Sequence, residues 1–169
     1  MRQENKVKSL AQSKVTVLGA QRSGLAAAEL LHRWGAQVFI SDMDVNSMSE
    51  ETIRNLDKAD IEFEIGGHSD KVFDAELIIV SPGIPETAPV MQEIKKRQIP
   101  VISEVELASW FVDSPIIGIT GSNGKTTTTT LVAHFLEAAE NDPVLCGNIG
   151  NPFANELLDD DANSKKKCS

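Results

Sequence analysis

Short apolar runs that end at a glycine or a proline–glycine turn alternate along this chain with stretches of helical spacing, and few folds accommodate that rhythm. Lys14 to Gly19 (KVTVLG) is such a run, and Leu25 to Trp34 (LAAAELLHRW) follows at helical spacing with Gly35 placed to end it. Val38 to Ile40 reads as a second strand, closed by Ser41 and Asp42, and Ser49 to Lys58 as a polar helix. The run Leu77 to Val80 (LIIV) enters the turn Ser81-Pro82-Gly83, and Pro89 suits the first turn of a helix reaching about Arg97. Ile99 to Ile102 gives another strand. Ser103 is placed to cap a helix through Trp110, with Glu106 three residues on as its capping-box partner. Strand and helix in strict alternation predict an α/β fold, a Rossmann-like doubly wound parallel sheet with right-handed crossovers.

A second unit opens after Val112-Asp113-Ser114-Pro115. Residues 1–113 are expected to form the first domain and residues 114–158 the start of a second, P-loop-type domain. That start comprises a strand from Ile116 to Thr120, a glycine loop, and a helix from about Lys125 to Ala139. Such a domain is not completed by one helix and one strand after its loop, so it is expected to be truncated. The tail 159–169 (DDDANSKKKCS) runs from acid to base without apolar periodicity, and disorder is expected there.

The chemistry concentrates in Thr120-Gly-Ser-Asn-Gly-Lys-Thr-Thr127. Glycines let consecutive amides turn inward on phosphate oxygens, and a helix starting near Lys125 adds its positive end. Gly121, Ser122, Asn123, Gly124, Lys125, Thr126 and Thr127 are therefore the candidate phosphate-binding residues for a nucleoside triphosphate. Lys125 is the catalytic cation, able to reach the outer phosphates, and the Thr126 hydroxyl is a candidate magnesium ligand. The pattern G-x-x-x-x-G-K-[ST] wants glycine at position 119, where this chain has Ile119. A glycine-rich turn with a chance lysine is the plainer reading, and the apolar run before it and helical run after it argue against that.

The first turn, Gly19-Ala-Gln-Arg-Ser-Gly24, is a degraded dinucleotide fingerprint. Gln21 stands where the second glycine lets backbone approach a pyrophosphate. An NAD-dependent oxidoreductase is thereby weakened, and a plain strand-to-helix turn competes. Asp42 ends the second strand, where such sheets place carboxylates that read ligands, although a strand-end Asx turn fits it nearly as well.

T-G-S-N-G-K-T-T resembles the loop of the Mur ligases and the related folylpolyglutamate synthetases. Five segments resemble the D-glutamate-adding branch of the Mur ligases: Val17-Leu-Gly-Ala-Gln-Arg-Ser-Gly-Leu25, Ser41-Asp42, Ser81-Pro-Gly-Ile-Pro85, Ser103-Glu-Val-Glu-Leu-Ala108 and Gly147-Asn-Ile-Gly150. The resemblance implies ATP and Mg2+ as cofactors, UDP-N-acetylmuramoyl-L-alanine and D-glutamate as substrates, and amide formation through an acyl phosphate in peptidoglycan synthesis. It makes Arg22, Ser23 and Gly24 candidate diphosphate contacts, Asp42 a uracil contact and Asn148 a contact to the muramoyl part. Ser81, Pro82 and Gly83 would shape the same cleft. Members of the family usually have glycine at the Gln21 position. Their further magnesium ligands, modified lysine and third-domain contacts lie downstream of the GNIG segment. The isolated chain is accordingly expected to be inactive or nearly so, and a non-catalytic UDP-sugar-binding module is the alternative.

A formal charge of −9, from 16 basic and 25 acidic residues, disfavours nucleic acid and anionic lipid as partners. The N-terminal MRQENKVKSLAQSK has no apolar core of a secretory signal, and no run nears the length of a membrane span. Cys146 and Cys168 are too few for a disulfide scaffold. A cytoplasmic monomer is expected. His32, His68 and His134 lack metal-ligand spacing, and structural roles are expected for all three.

Overall fold

The computed structural model describes residues 2–147 and 150–160. Its first part alternates as α1 (Arg2–Leu10), β1 (Lys14–Leu18), α2 (Arg22–Arg33), β2 (Gln37–Asp42), α3 (Glu50–Lys58), β3 (Glu62–Ile65), a 3-10 turn (Asp70–Phe73), β4 (Leu77–Val80), α4 (Pro89–Lys96), β5 (Val101–Ser103) and α5 (Glu104–Ser109). The five strands form one sheet in the order β3-β2-β1-β4-β5. Every pair is parallel, with Lys14 opposite Gln37 and Val15 opposite Leu77 flanking the central β1. The doubly wound sheet read from the sequence is thus present.

The period of two along each strand splits the core between the two faces. Val15, Val17, Val38, Ile40 and Ile79 face Ala27, Leu31, Leu56 and Leu107 from the helices on one side. Leu18, Phe39 and Ile78 point the other way, onto Val72, Val90 and Ile94. Burying a Leu or Ile side chain fully, as at Leu18, Leu31 and Ile78, is worth about 1.5–3 kcal/mol each.

Two expectations fail. Ile116 to Thr120 forms no strand, and Ile116 and Ile117 are exposed by 52% and 59%. A central parallel strand needs neighbours for its amides and carbonyls. No described strand pairs with this segment. The capping box at α5 is only half formed. Ser103 accepts from the Glu106 amide at 3.1 Å, but the Glu106 carboxylate takes the Trp110 Nε1–H at 2.8 Å and the Lys6 ammonium instead. Elements α1 and β3 and the 3-10 turn were not anticipated. β3 (EFEI) is a short edge strand in which Glu alternates with Phe63 and Ile65, a pattern that looks polar in sequence.

Beyond α5 lie α6 (Lys125–Ala138), which buries only Ala133, and α7 (Phe153–Asp160). α7 packs on the first sheet's helices, with Ala154 and Leu158 buried against Ala26, Leu30 and Ala108. Its first turn is held by the buried Glu104, whose Oε1 accepts from the Ala154 amide at 2.7 Å. Arg33 donates to the Leu158 carbonyl at 2.9 Å near the other end. The disorder expected for 159–169 falls largely outside the described residues. Among the described residues no helix is long and apolar enough to cross a membrane.

Candidate functional site

In a sheet of this order the connections leave β1 in opposite directions toward β2 and β4, which opens a crevice at the carboxyl ends of the strands. A cleft of about 740 Å3 occupies that crevice. Gly19 and Gln21 line it from the end of β1, Asp42 and Met43 from β2, and Ser81, Pro82 and Gly83 from β4. Four of the eight residues expected to contact a UDP-substrate, Asp42, Ser81, Pro82 and Gly83, are thereby brought together.

The Asx turn read at Asp42 is present, and the Asp42 carboxylate also lines the cleft. Its Oδ1 accepts the Asp44 amide at 2.8 Å, an Asx turn, while Oδ2 accepts the Ala20 amide at 2.6 Å. The turn fixes the carboxylate in the cleft wall, and each oxygen keeps a further lone pair for a ligand.

Gln21 sits at φ −84°, ψ −177°, ordinary extended backbone, so the side chain is carried there without strain. It stands immediately before α2 and makes no side-chain cap, and the first turn of α2 has no acid. The first amides of α2 have no intrahelical partners, and such a helix start without acids suits an anion. Gly24 has a packing role. A Cβ there would lie 1.9 Å from the Gly19 carbonyl oxygen and 2.8 Å from Ser81 Oγ. Only glycine lets α2 approach β1 this closely, the part played by the third glycine of a dinucleotide turn. Ser23 is partly buried in the same turn, and Arg22 turns outward to donate to the Gly150 carbonyl at 3.2 Å. Arg22 is thus tied to the segment bearing Asn148, which itself lies outside the described residues.

The phosphate loop stands apart from the cleft and is exposed from Gly121 to Gly124. Gly121 and Gly124 take φ of 151° and 76°, a region that side chains disfavour, and Gly124 caps α6. The Lys125 ammonium donates to the Gly121 carbonyl at 2.6 Å, closing the loop on itself. Thr129 and Thr130 give their hydroxyls to the carbonyls of Lys125 and Thr126, one turn back. Among the described residues no hydrogen bond engages the hydroxyls of Thr126 and Thr127 themselves. Glycine curvature, an uncapped helix start without acids, one ammonium and two open hydroxyls fit a triphosphate with one divalent cation. No group of three or more His, Cys, Asp or Glu able to hold a metal occurs among the described residues.

His68, for which a structural role was expected, and Glu93, not singled out from the sequence, also line the cleft. His68 reaches the wall through the GGHSD turn after β3, a strand that was not recognised.

Comparison with known proteins follows the same division. Residues 14–90 match the MurD N-terminal domain, and residues 119–167 match the Mur ligase middle domain. The UDP-N-acetylmuramoylalanine–D-glutamate ligase of Chlorobaculum tepidum is 50% identical over 147 residues, 84% of this chain and 31% of the relative. That of Salinibacter ruber is 41% identical over 152 residues, 87% of this chain and 33% of the relative. The chain spans about a third of the length of these relatives. Among solved structures, a pseudomurein peptide ligase type C from Methanothermus fervidus aligns with a TM-score of 0.51 at 26% identity, covering 75% of this chain and 26% of that one. The UDP-N-acetylmuramate:L-alanyl-gamma-D-glutamyl-meso-diaminopimelate ligase from Neisseria meningitides aligns at 0.54 and 20% identity, over 83% of this chain and 46% of its own, and shares the fold. The chain belongs to the Mur ligase family and corresponds to the N-terminal third of its UDP-N-acetylmuramoylalanine–D-glutamate ligases.

Proposed function

We propose that residues 1–113 bind the uridine-diphosphate end of UDP-N-acetylmuramoyl-L-alanine, and that the loop Gly121–Thr127 holds the phosphates of ATP with Mg2+. Together they are the front part of a cytoplasmic, monomeric ligase adding D-glutamate in peptidoglycan synthesis. The observation that carries this reading is the cleft at the switch point of the sheet, with the anchored Asp42 on one wall and Gly19 and Gln21, just before α2, on another. Asp42 would accept the single imide N–H of the uracil ring. The opening of α2, with Arg22, Ser23 and Gly24, would receive the diphosphate. Ser81, Pro82 and Gly83 shape the opposite wall, and Asn148 would meet the muramoyl part.

At the second loop Lys125 exchanges the Gly121 carbonyl for phosphate oxygens, and Thr126, with Thr127 beside it, supplies the oxygen ligand for the cation. ATP held there with Mg2+ would supply the chemistry of carboxylate activation: transfer of its γ-phosphoryl group would leave ADP and an acyl phosphate, and attack by the amine of D-glutamate would give the amide and release phosphate. What these residues contribute is positioning and charge neutralisation. Titrating the sugar nucleotide into the 15N-labelled chain tests the assignment. Shifts should concentrate on 19–25, 42–44 and 81–85, with ATP and Mg2+ shifting 120–128. Shifts from the sugar nucleotide confined to the phosphate loop would refute it.

A further inference from the structure

Behind Asp42 lies a cluster of side chains that neither the phosphate loop nor the turn before α2 explains. Ser41, fully buried at the end of β2, places its Oγ 2.7 Å from Glu64 Oε1 on β3 and 2.7 Å from His68 Nδ1. The same Glu64 oxygen accepts the Ser69 amide at 2.9 Å.

Counting protons settles which group donates. Burial pushes the Glu64 carboxyl up, but hydrogen bonds from Ser69 and Ser41 and the nearby His68 outweigh it and hold the group below its ordinary value. Glu64 is a carboxylate and only accepts. The single hydroxyl proton of Ser41 therefore goes to Glu64, and the Ser41 oxygen receives the Nδ1–H of His68. Burial pulls the His68 imidazole below its ordinary value, against the carboxylates of Glu64 and Asp42, which act the other way. The ring is neutral at neutral pH, protonated on Nδ1, with a lone pair on Nε2. No hydrogen bond occupies Nε2 among the described residues. The ring lines the cleft beside Asp42.

We infer that His68 is a specificity-determining contact, its Nε2 accepting a hydrogen bond from an O–H of the nucleoside part of a uridine nucleotide bound in the cleft. The inference rests on the UDP-site reading above. Two neighbouring acceptors, Nε2 and the Asp42 carboxylate, repel phosphate oxygens and select hydrogen-bond donors. The opening of α2, without acids, follows Gln21 on the β1 side of the same cleft. The one imide N–H of uracil goes to Asp42 in that reading, and the ribose hydroxyls are the donors left for Nε2.

Calorimetric titration of UDP into the full chain tests this with two variants. Asn at position 68 can keep the contact to Ser41 but leaves the place of Nε2 empty, whereas Gln extends an amide oxygen to it. Wild type should bind UDP, His68→Asn about threefold to tenfold more weakly at unchanged thermal midpoint, and His68→Gln close to wild type. Either 2′-deoxy-UDP or 3′-deoxy-UDP should lose affinity for wild type but not for His68→Asn, identifying the donor. The wild-type 15N imidazole spectrum should show an unprotonated Nε2 that shifts on adding UDP. Equal binding of UDP by wild type and His68→Asn overturns the contact while leaving the UDP site standing. A protonated Nε2 in the free protein at neutral pH overturns it too. Absence of UDP binding to wild type removes both.

Discussion

Replacing Gly24 with alanine adds one methyl group at the tightest point between helix and sheet. The new Cβ would lie 1.9 Å from the Gly19 carbonyl oxygen and 2.8 Å from Ser81 Oγ. The first contact is about 1 Å inside the closest approach Cβ atoms make, and its partner is backbone, which has no rotamer to change. Alanine favours a helix over glycine by about 0.5–1 kcal/mol, so propensity alone would stabilise the variant. Overpacking in a well-filled core costs about 1–3 kcal/mol, and a backbone clash lies at the upper end of that range. The clash wins, for a net loss of about 2 kcal/mol. For a chain of this size that lowers the thermal midpoint by about 4–8 °C. Moving α2 outward also displaces the amides at its start, so UDP affinity should fall with stability. Gly67→Ala is the matched control, because its methyl meets nothing within 4 Å. Circular dichroism melts of the three proteins decide the matter. A Gly24→Ala midpoint equal to that of Gly67→Ala would show that α2 is free to shift and that the reasoning about Gly24 is wrong.

Lys125→Ala removes the ammonium that closes the phosphate loop, and Mg-ATP affinity should fall about tenfold to a hundredfold by calorimetry, a charge-assisted contact being worth about 1.5–3 kcal/mol. Equal affinities would take Lys125 out of the site. Glu104 is held above its ordinary value by burial, with the Ala154 amide acting the other way. The folded state therefore binds that proton more tightly, so its contribution is present in full at acid pH and is lost as pH rises through the raised value. Glu104→Gln keeps an acceptor for the amide, so it should gain stability over wild type in urea unfolding at mildly alkaline pH, the gain vanishing on acidification; a pH-independent difference would contradict this. The 169 residues alone, about a third of the length of the ligases they resemble, should release no phosphate in response to D-glutamate. Joining the remaining length of the Chlorobaculum tepidum relative should restore release, and turnover without it would misplace the catalytic groups.

The sheet was legible because each central strand ends in a residue with few alternatives. Gly19 and the Ser81-Pro82-Gly83 turn mark where β1 and β4 stop, and the periods of two and 3.6 do the rest. Local signals misled where a partner decides the outcome. Ile116 and Ile117 are as apolar as a buried strand, yet nothing described pairs with them. Phe153–Asp160 carries an acidic end that resembles a tail, yet its apolar side docks on α2 and α5. Asp42 and the phosphate loop were visible because chemistry and position coincide in one segment. His68 was invisible because its role depends on Ser41 and Glu64, which are 27 and 4 residues away, and on an edge strand too short and charged to announce itself.

The central claim is that the first domain holds a uridine nucleotide where other sheets of this order hold dinucleotides. Calorimetric titration of UDP-N-acetylmuramoyl-L-alanine and of NAD into the full chain, repeated with Asp42→Asn, tests it most directly. Asparagine keeps one oxygen for one of the two amides that Asp42 holds, those of Ala20 and Asp44, and turns an NH2 toward the other, so the thermal midpoint of the variant is read beside its affinity. The account predicts saturable binding of the UDP-sugar, weakening about tenfold in Asp42→Asn, and no binding of NAD. Binding of NAD with none of the UDP-sugar would contradict it.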